Sequence, residues 1–177
     1  MSEWNAATAE WYVQNFGEYP TNREGVRRIE FPAEAVVLDI GCGSGSALRT
    51  VGALVPGATL IGVDPVPRML ELAREQGGEA LDLRLGDAGA LPVPDHRCDV
   101  VLAFDSMDHW SDVDAGLREV HRVLKPGALF VVVKDLSAPG GLDTATVLRG
   151  AGFGDIVEET VDLPEVRFVL WRARARD

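Results

Sequence analysis

The stretch Val36-Val37-Leu38-Asp39-Ile40-Gly41-Cys42-Gly43-Ser44-Gly45-Ser46 constrains this chain more than any other. A β-branched apolar run holding one acid ends in a glycine-dense turn. A helical apolar pattern follows at Ala47, Leu48, Val51 and Leu54. The order is strand, loop, helix. A loop without β-carbons turns sharply and lets backbone amides approach a ligand closely, so the feature is either a nucleotide-type site or simply a tight turn.

The rest of the sequence repeats the alternation. Ala58 to Asp64 reads as a second buried strand, and Pro65 and Pro67 open the next helix, since proline is tolerated in a first turn. That helix carries Met69, Leu70, Leu72 and Ala73. Ala80 to Leu85 alternates apolar and charged residues as a half-buried strand would, and Asp99 to Phe104 is a fourth strand after the proline-rich connection Leu91 to Asp95. A helix from about Val113 to Leu124 is expected to close at Lys125-Pro126-Gly127. Ala128 to Val133 is a fifth strand, apolar enough for burial on both faces, and a helix from about Thr144 to Ala151 follows. The candidates Asp155 to Thr160 and Arg167 to Arg172 are joined by too few residues for a crossover helix, so they must pair as a hairpin. The prediction is a three-layer α/β sandwich whose seven-stranded sheet is mostly parallel, with one antiparallel strand from the C-terminal hairpin.

Before this core, residues 1–34 read as one or two short helices, including one around Arg23 to Ile29. Their aromatics Trp11, Tyr12, Phe16 and Tyr19 suit either a packing arm or a lid over a ligand. The basic residues Arg172, Arg174 and Arg176 read as a solvated strand edge.

With 177 residues, one domain with a sizeable core is expected. The net charge of -11 argues against nucleic acid or an anionic membrane as partner, because basic patches bind both. Cys42 and Cys98 lack any metal-ligand spacing, so no metal and no disulfide are expected, and a cytoplasmic setting fits. No signal peptide and no membrane-spanning run are read.

In an open parallel sheet, ligands bind beyond the carboxyl ends of the strands. Here those ends carry Asp39 with the glycine loop, Asp64, Asp87 and Phe104-Asp105. Buried carboxylates are costly without partners, so acids recurring at one edge favour a ligand that donates hydrogen bonds. The loop reads Gly41-x-Gly43-x-Gly45, with Ser46 at the third fingerprint position. It therefore departs from the dinucleotide pattern, and it has no Gly-Lys-Ser/Thr of a P-loop. A nucleoside with a positive or zwitterionic tail suits it better than one with phosphates.

Val37 to Gly45 resembles the first motif of the class I S-adenosylmethionine-dependent methyltransferases. Ile61-Gly62-Val63-Asp64 with Met69-Leu70 resembles the second, and Gly86-Asp87-Ala88 with Leu91-Pro92 the third. Cys98 to Ala103 and Glu119 to Ala128 resemble the stretches at the fourth strand and leading into the fifth. These matches run in family order over half the chain. The resemblance implies a Rossmann-like core (35–177) in one methyltransferase domain, preceded by the helical arm, and S-adenosyl-L-methionine as cofactor. It also implies roles. Gly41, Cys42, Gly43 and Gly45 would cradle the methionine and ribose, and Asp39 would order that loop or receive the ammonium through water. Asp64 would accept the ribose hydroxyls, Asp87 the adenine amino group, and the Ala88 amide would donate to the ring. Pro65 and Met69 would pack on adenine; Ala103 and Phe104 would border the methionine.

The acceptor side is thinner. Asp105-Ser106-Met107-Asp108-His109-Trp110 should lie beside the methyl group, and His109 serves either as a general base or as a loop brace. Trp11, Tyr12, Asp105, His109 and Trp110 are the candidate acceptor contacts, and Asp105 marks an acceptor carrying an amine. His96 and His121 read as solvated. The expected acceptor is a small organic molecule, with a protein acceptor as the second option and an oligomer admitted to supply a missing wall. The alternative from another class is a cofactor-binding module or partner subunit without its own methyl transfer; a nicotinamide-dependent reductase is disfavoured by the glycine spacing.

Overall fold

Val36–Ile40 forms β1 with all five residues buried, the environment that a central parallel strand imposes and that its apolar run anticipates. The computed structural model describes residues 5–77, 80–137 and 141–176. In chain order the elements are α1 (Ala6–Phe16), α2 (Pro20–Val26), β1, α3 (Ser46–Leu54), β2 (Thr59–Asp64), α4 (Pro67–Glu75), β3 (Asp82–Leu85), β4 (Cys98–Phe104), α5 (Val113–Val123), β5 (Leu124–Asp135), α6 (Thr144–Gly150), β6 (Gly154–Leu163) and β7 (Val166–Arg174). A single 3-10 turn, Met107–His109, lies between β4 and α5.

The strands form one seven-stranded sheet in the order β3-β2-β1-β4-β5-β7-β6. Neighbours from β3 to β5 pair parallel. β7 runs antiparallel to both β5 and β6, so it is the one reversed strand. This is the predicted three-layer arrangement. The order reverses between β1 and β4, which opens a crevice at their carboxyl ends.

Two apolar layers sandwich the sheet. One packs Leu38, Ile61, Val101 and Phe130 against Leu117 and Val120 of α5 and Leu148 of α6. The other packs Val37, Leu102, Val131 and Phe168 against Leu48 and Val51 of α3 and Val26 of α2. A third cluster joins Ala9 and Val13 of α1 to Met69 of α4, so the arm is seated on the core.

The structure differs from the sequence reading at several edges. α2 spans Pro20–Val26 because proline at its first turn starts it early and no apolar periodicity carries it on to Ile29. Lys125-Pro126-Gly127 is not a helix end: Leu124 already has extended backbone and opens β5, while Lys125 pairs with Asp99 at 2.7 Å. Arg172 is not on a solvated edge, since β7 is an interior strand; its guanidinium bonds Glu159 and the Arg28 carbonyl. His121 is also not solvated. It stacks on Phe153 at 3.9 Å between ring centroids, and its Nε2 meets the Ala151 carbonyl at 2.9 Å.

The motif residues Glu119 and Arg122 act at a distance from the strand tips. Glu119 accepts the Leu91 amide at 2.7 Å, and Arg122 donates to the carbonyls of Leu91 and Val93. Together they fix the proline-rich connection between β3 and β4.

Candidate active site

A cavity of about 530 Å³ opens at the carboxyl ends of β1, β2, β4 and β5 and is roofed by α1 and α2. Its floor is the glycine loop. Gly41, Gly43 and Gly45 all have positive φ, at 74°, 50° and 78°, but for different surroundings. A β-carbon on Gly41 would lie 2.6 Å from the Ser106 β-carbon, and Ser106 Oγ donates to the Ile40 carbonyl at 2.6 Å, which clamps the tips of β1 and β4 together. A β-carbon on Gly43 would meet no protein atom within 4 Å. Gly43 therefore faces open cavity.

Asp64 closes β2 and reaches back to that loop. Its Oδ2 accepts the Gly43 amide and its Oδ1 the Val66 amide, both at 2.9 Å. Burial raises the Asp64 carboxyl above the ordinary carboxylate range, and the two amides oppose that rise. Each carboxylate oxygen has two lone pairs, so both retain a position for a ligand hydroxyl. Asp39 is only 3 % exposed, and its Oδ1 has no hydrogen-bond partner. Burial, then the neighbouring charge of Asp64, pushes its carboxyl up to about 7. An orphaned buried carboxylate oxygen in a cavity wall calls for a donor from a ligand or ordered water. Burial also raises the Cys42 thiol, so it is unreactive lining.

On the β2–β3 side, Pro65, Val66, Met69, Asp87 and Ala88 border the cavity. Asp87 Oδ1 accepts the Gly89 amide at 2.9 Å, and both its oxygens lie 3.3–3.4 Å from the Ser111 hydroxyl. The turn this makes holds the Ala88 segment in place at the cavity wall, which the buried Met69 also lines.

On the β4–β5 side the wall is polar. Asp105 sits at φ 50°, with Oδ2 accepting the Thr21 hydroxyl at 3.0 Å and Oδ1 the Asp135 amide at 2.6 Å. The Tyr19 hydroxyl hydrogen-bonds Asp135. Burial first, then the carboxylates of Asp105, Asp135 and Asp64, push the Tyr12 hydroxyl up to about 12, so it remains a protonated donor. Lys134 forms an ion pair with Asp108. His109, exposed, and Trp110, whose buried Nε1 lacks a partner, complete this end.

The fold thus brings Asp39, Gly41, Cys42, Gly43, Asp64, Pro65, Met69, Asp87, Ala88 and Phe104 to one cavity, together with Tyr12, Asp105, His109 and Trp110. Three expected residues stand outside its wall. Gly45 caps α3 and faces Leu81, Arg49 and Ala73. Ala103 is fully buried and belongs to the core layer under α5, one residue out of phase with Phe104. Trp11 is 58 % exposed and stacks edge-on against Phe16 on the outer face of α1. The cavity wall also holds Thr21, Lys134 and Asp135, which the sequence reading does not single out. Asp135 closes β5, so the strand-end rule would have found it had the fifth strand been carried two residues further.

Comparison with known proteins identifies the family. A family model described as "Methyltransferase domain" matches residues 38–132, more than half of the chain. The chain belongs to this methyltransferase family. It is 30% identical over 152 residues to a ubiquinone biosynthesis O-methyltransferase of Cereibacter sphaeroides, covering 74% of this chain and 61% of the relative. It is 28% identical over 124 residues to a demethylmenaquinone methyltransferase of Chlorobaculum parvum, covering 70% of this chain and 51% of the relative. The chain thus spans about half to three-fifths of the length of these curated relatives. Among solved structures, a SAM-dependent methyltransferase from Aquifex aeolicus superposes with a TM-score of 0.79 at 16% identity, covering 98% of this chain and 100% of that one; it shares the fold. Among the described residues, no helix is long and apolar enough to cross a membrane.

Proposed function

We propose that this methyltransferase binds S-adenosyl-L-methionine in the cavity and transfers its methyl group to a small organic acceptor. The observation that carries the reading is Asp39: a carboxylate nine-tenths buried, with one oxygen unpartnered, beside a glycine whose missing side chain opens onto free space. That pair fits an ammonium-bearing nucleoside lying across the loop. When bound, the cofactor would supply an electrophilic methyl on a sulfonium, open to in-line attack by an acceptor lone pair with the neutral thioether S-adenosylhomocysteine as leaving group. The Asp64 oxygens orient the ribose diol, and the Ala88 segment and Met69 hold the base.

The chain's own contribution to the transfer is positioning and exclusion of water. α1 and α2 form the lid of a single domain whose core is 35–177. Tyr12 and Phe104 press the ligand towards the loop, and His109 and Trp110 border the acceptor. His109 acts as base where the acceptor must lose a proton. Neighbouring carboxylates make the cavity unwelcoming to phosphates, which argues against nucleic acid as acceptor. The buried free thiols Cys42 and Cys98 suit a reducing cytoplasm.

The test is a transfer assay with labelled methyl donor across a broad panel of small acceptors, reading release of S-adenosylhomocysteine. Acceptor-dependent release supports the reading. Tight donor binding with no transfer to any acceptor makes the chain a cofactor-binding module instead.

A further inference from the structure

The tips of β4 and β5 hold more negative charge than the donor can use. Asp105 and Asp135 are both half-buried and joined through the Asp135 amide. Asp105 takes one further bond, from Thr21; Asp135 takes the Tyr19 hydroxyl and the Ser137 amide, the latter at 2.7 Å. Both acids keep lone pairs unused by these bonds. Among the described residues of the wall, Lys134 is the one lysine or arginine, and although it acts on Asp105 it is paired with Asp108. His109 lies on the same wall. In the proposed donor pose, Asp39 receives the donor's ammonium and Asp64 its ribose, so neither reaches the β5 tip.

The facing wall is aromatic. The Phe16 ring lies 5.5 Å from Tyr12 and 5.8 Å from Tyr19, centroid to centroid, and all three line the cavity. Aromatic side chains and carboxylates lining one cavity suit an organic cation, since π-systems and carboxylates both attract positive charge while the rings exclude water. Independent of the acids, Trp110 Nε1 at this end of the cavity is buried without a hydrogen-bond partner, a donor left for a polar ligand.

We propose that this end of the cavity is a subsite for an organic ammonium group on the acceptor, held by Asp105 and Asp135 against the rings of Tyr12 and Tyr19. The inference builds on the methyltransferase reading, which supplies the donor at the other end. It names a recognition handle and leaves the methylated atom open.

Calorimetric titration tests it with a panel of primary, tertiary and quaternary ammonium compounds, each against its neutral isostere, such as phenethylamine against 2-phenylethanol. The titrations are run with and without S-adenosylhomocysteine. At least one ammonium compound is expected to bind tenfold or more tightly than its isostere. In Asp135→Asn that preference is expected to fall to within about threefold. Asp105→Asn should do the same, and because it also touches α2, its melting temperature is compared with wild type; if it fails to fold, Asp135→Asn decides. Equal affinity for ammonium and isostere throughout the panel, a preference that survives in Asp135→Asn, or no ammonium binding up to about 10 mM overturns the subsite. Failure of S-adenosylhomocysteine to bind instead overturns the methyltransferase reading, and the titrations without it still judge the subsite.

Discussion

Asp64 Oδ2 accepts the Gly43 amide at 2.9 Å, so the acid that ends β2 fixes the glycine loop that ends β1. In the proposed pose, loop order and ligand contact are therefore functions of one carboxylate. Asp64→Asn keeps an acceptor for one amide and is expected to bind donor about 1–3 kcal/mol more weakly, the usual scale for losing a charged hydrogen-bond partner. Asp64→Ala also leaves the Gly43 and Val66 amides unpaired and should lower stability by a similar amount. Calorimetry and thermal melts on both variants separate the two roles.

Gly41 and Gly43 are expected to fail differently. Both have positive φ, so alanine at either costs about 1–2 kcal/mol in backbone strain. At Gly41 the added carbon also collides with Ser106, so Gly41→Ala should show the larger fall in melting temperature. At Gly43 it meets only open cavity, so Gly43→Ala should melt closer to wild type while losing donor affinity. Equal melting temperatures for the two would contradict the clamp.

Asp39 links stability to pH. Its folded carboxyl is raised to about 7 against an ordinary 3.8, so the protonated form favours the folded state. That stability is fully present below about pH 4 and is lost as pH rises through 7. The penalty above pH 7 is on the order of 4 kcal/mol. Asp39→Asn, neutral throughout, should lack this decline in melts of the unliganded protein between pH 5 and 8. A donor ammonium near Asp39 favours its anion, so donor binding near pH 7 is expected to release protons, readable as a dependence of binding heat on buffer ionisation enthalpy.

Two ion pairs latch the arm over the cavity: Glu18 with Arg49, and Glu10 with Arg68 at 3.0 Å; the Ser44 hydroxyl also donates to the Gly17 carbonyl at 3.0 Å. These pairs are solvated and screened, so each is a weak latch. Arg49→Ala is expected to speed donor dissociation about threefold to fivefold in stopped-flow measurements, and high salt should narrow the difference.

Legibility in the sequence followed the physics of each segment. Buried parallel strands need unbroken apolar runs, so β1, β2, β4 and the middle of β5 are readable, and the acids at the ends of the first three are Asp39, Asp64 and Asp105; Asp87 follows the half-exposed β3, read from its alternation. Strand ends beyond the buried run obey pairing rather than hydropathy, which is why Lys125 and Asp135 were left outside β5. Adjacent strand residues face opposite layers, so Phe104 turns to the cavity and Ala103 to α5, a difference that the family motif alone does not carry. Thr21 carries no local signal at all, since its role comes from a tertiary contact 84 positions away. The aromatics of α1 were visible as a group, but only helix phase separates Tyr12, inside, from Trp11, outside.

The most direct measurement is calorimetric titration of the purified chain with S-adenosylmethionine, S-adenosylhomocysteine and NADH, repeated on Asp64→Asn. Saturable binding of the first two, weakened in the variant, with no detectable NADH binding, is the expected result. Binding of NADH alone, or donor affinity unchanged in Asp64→Asn, would contradict the assignment of this cavity to the methyl donor.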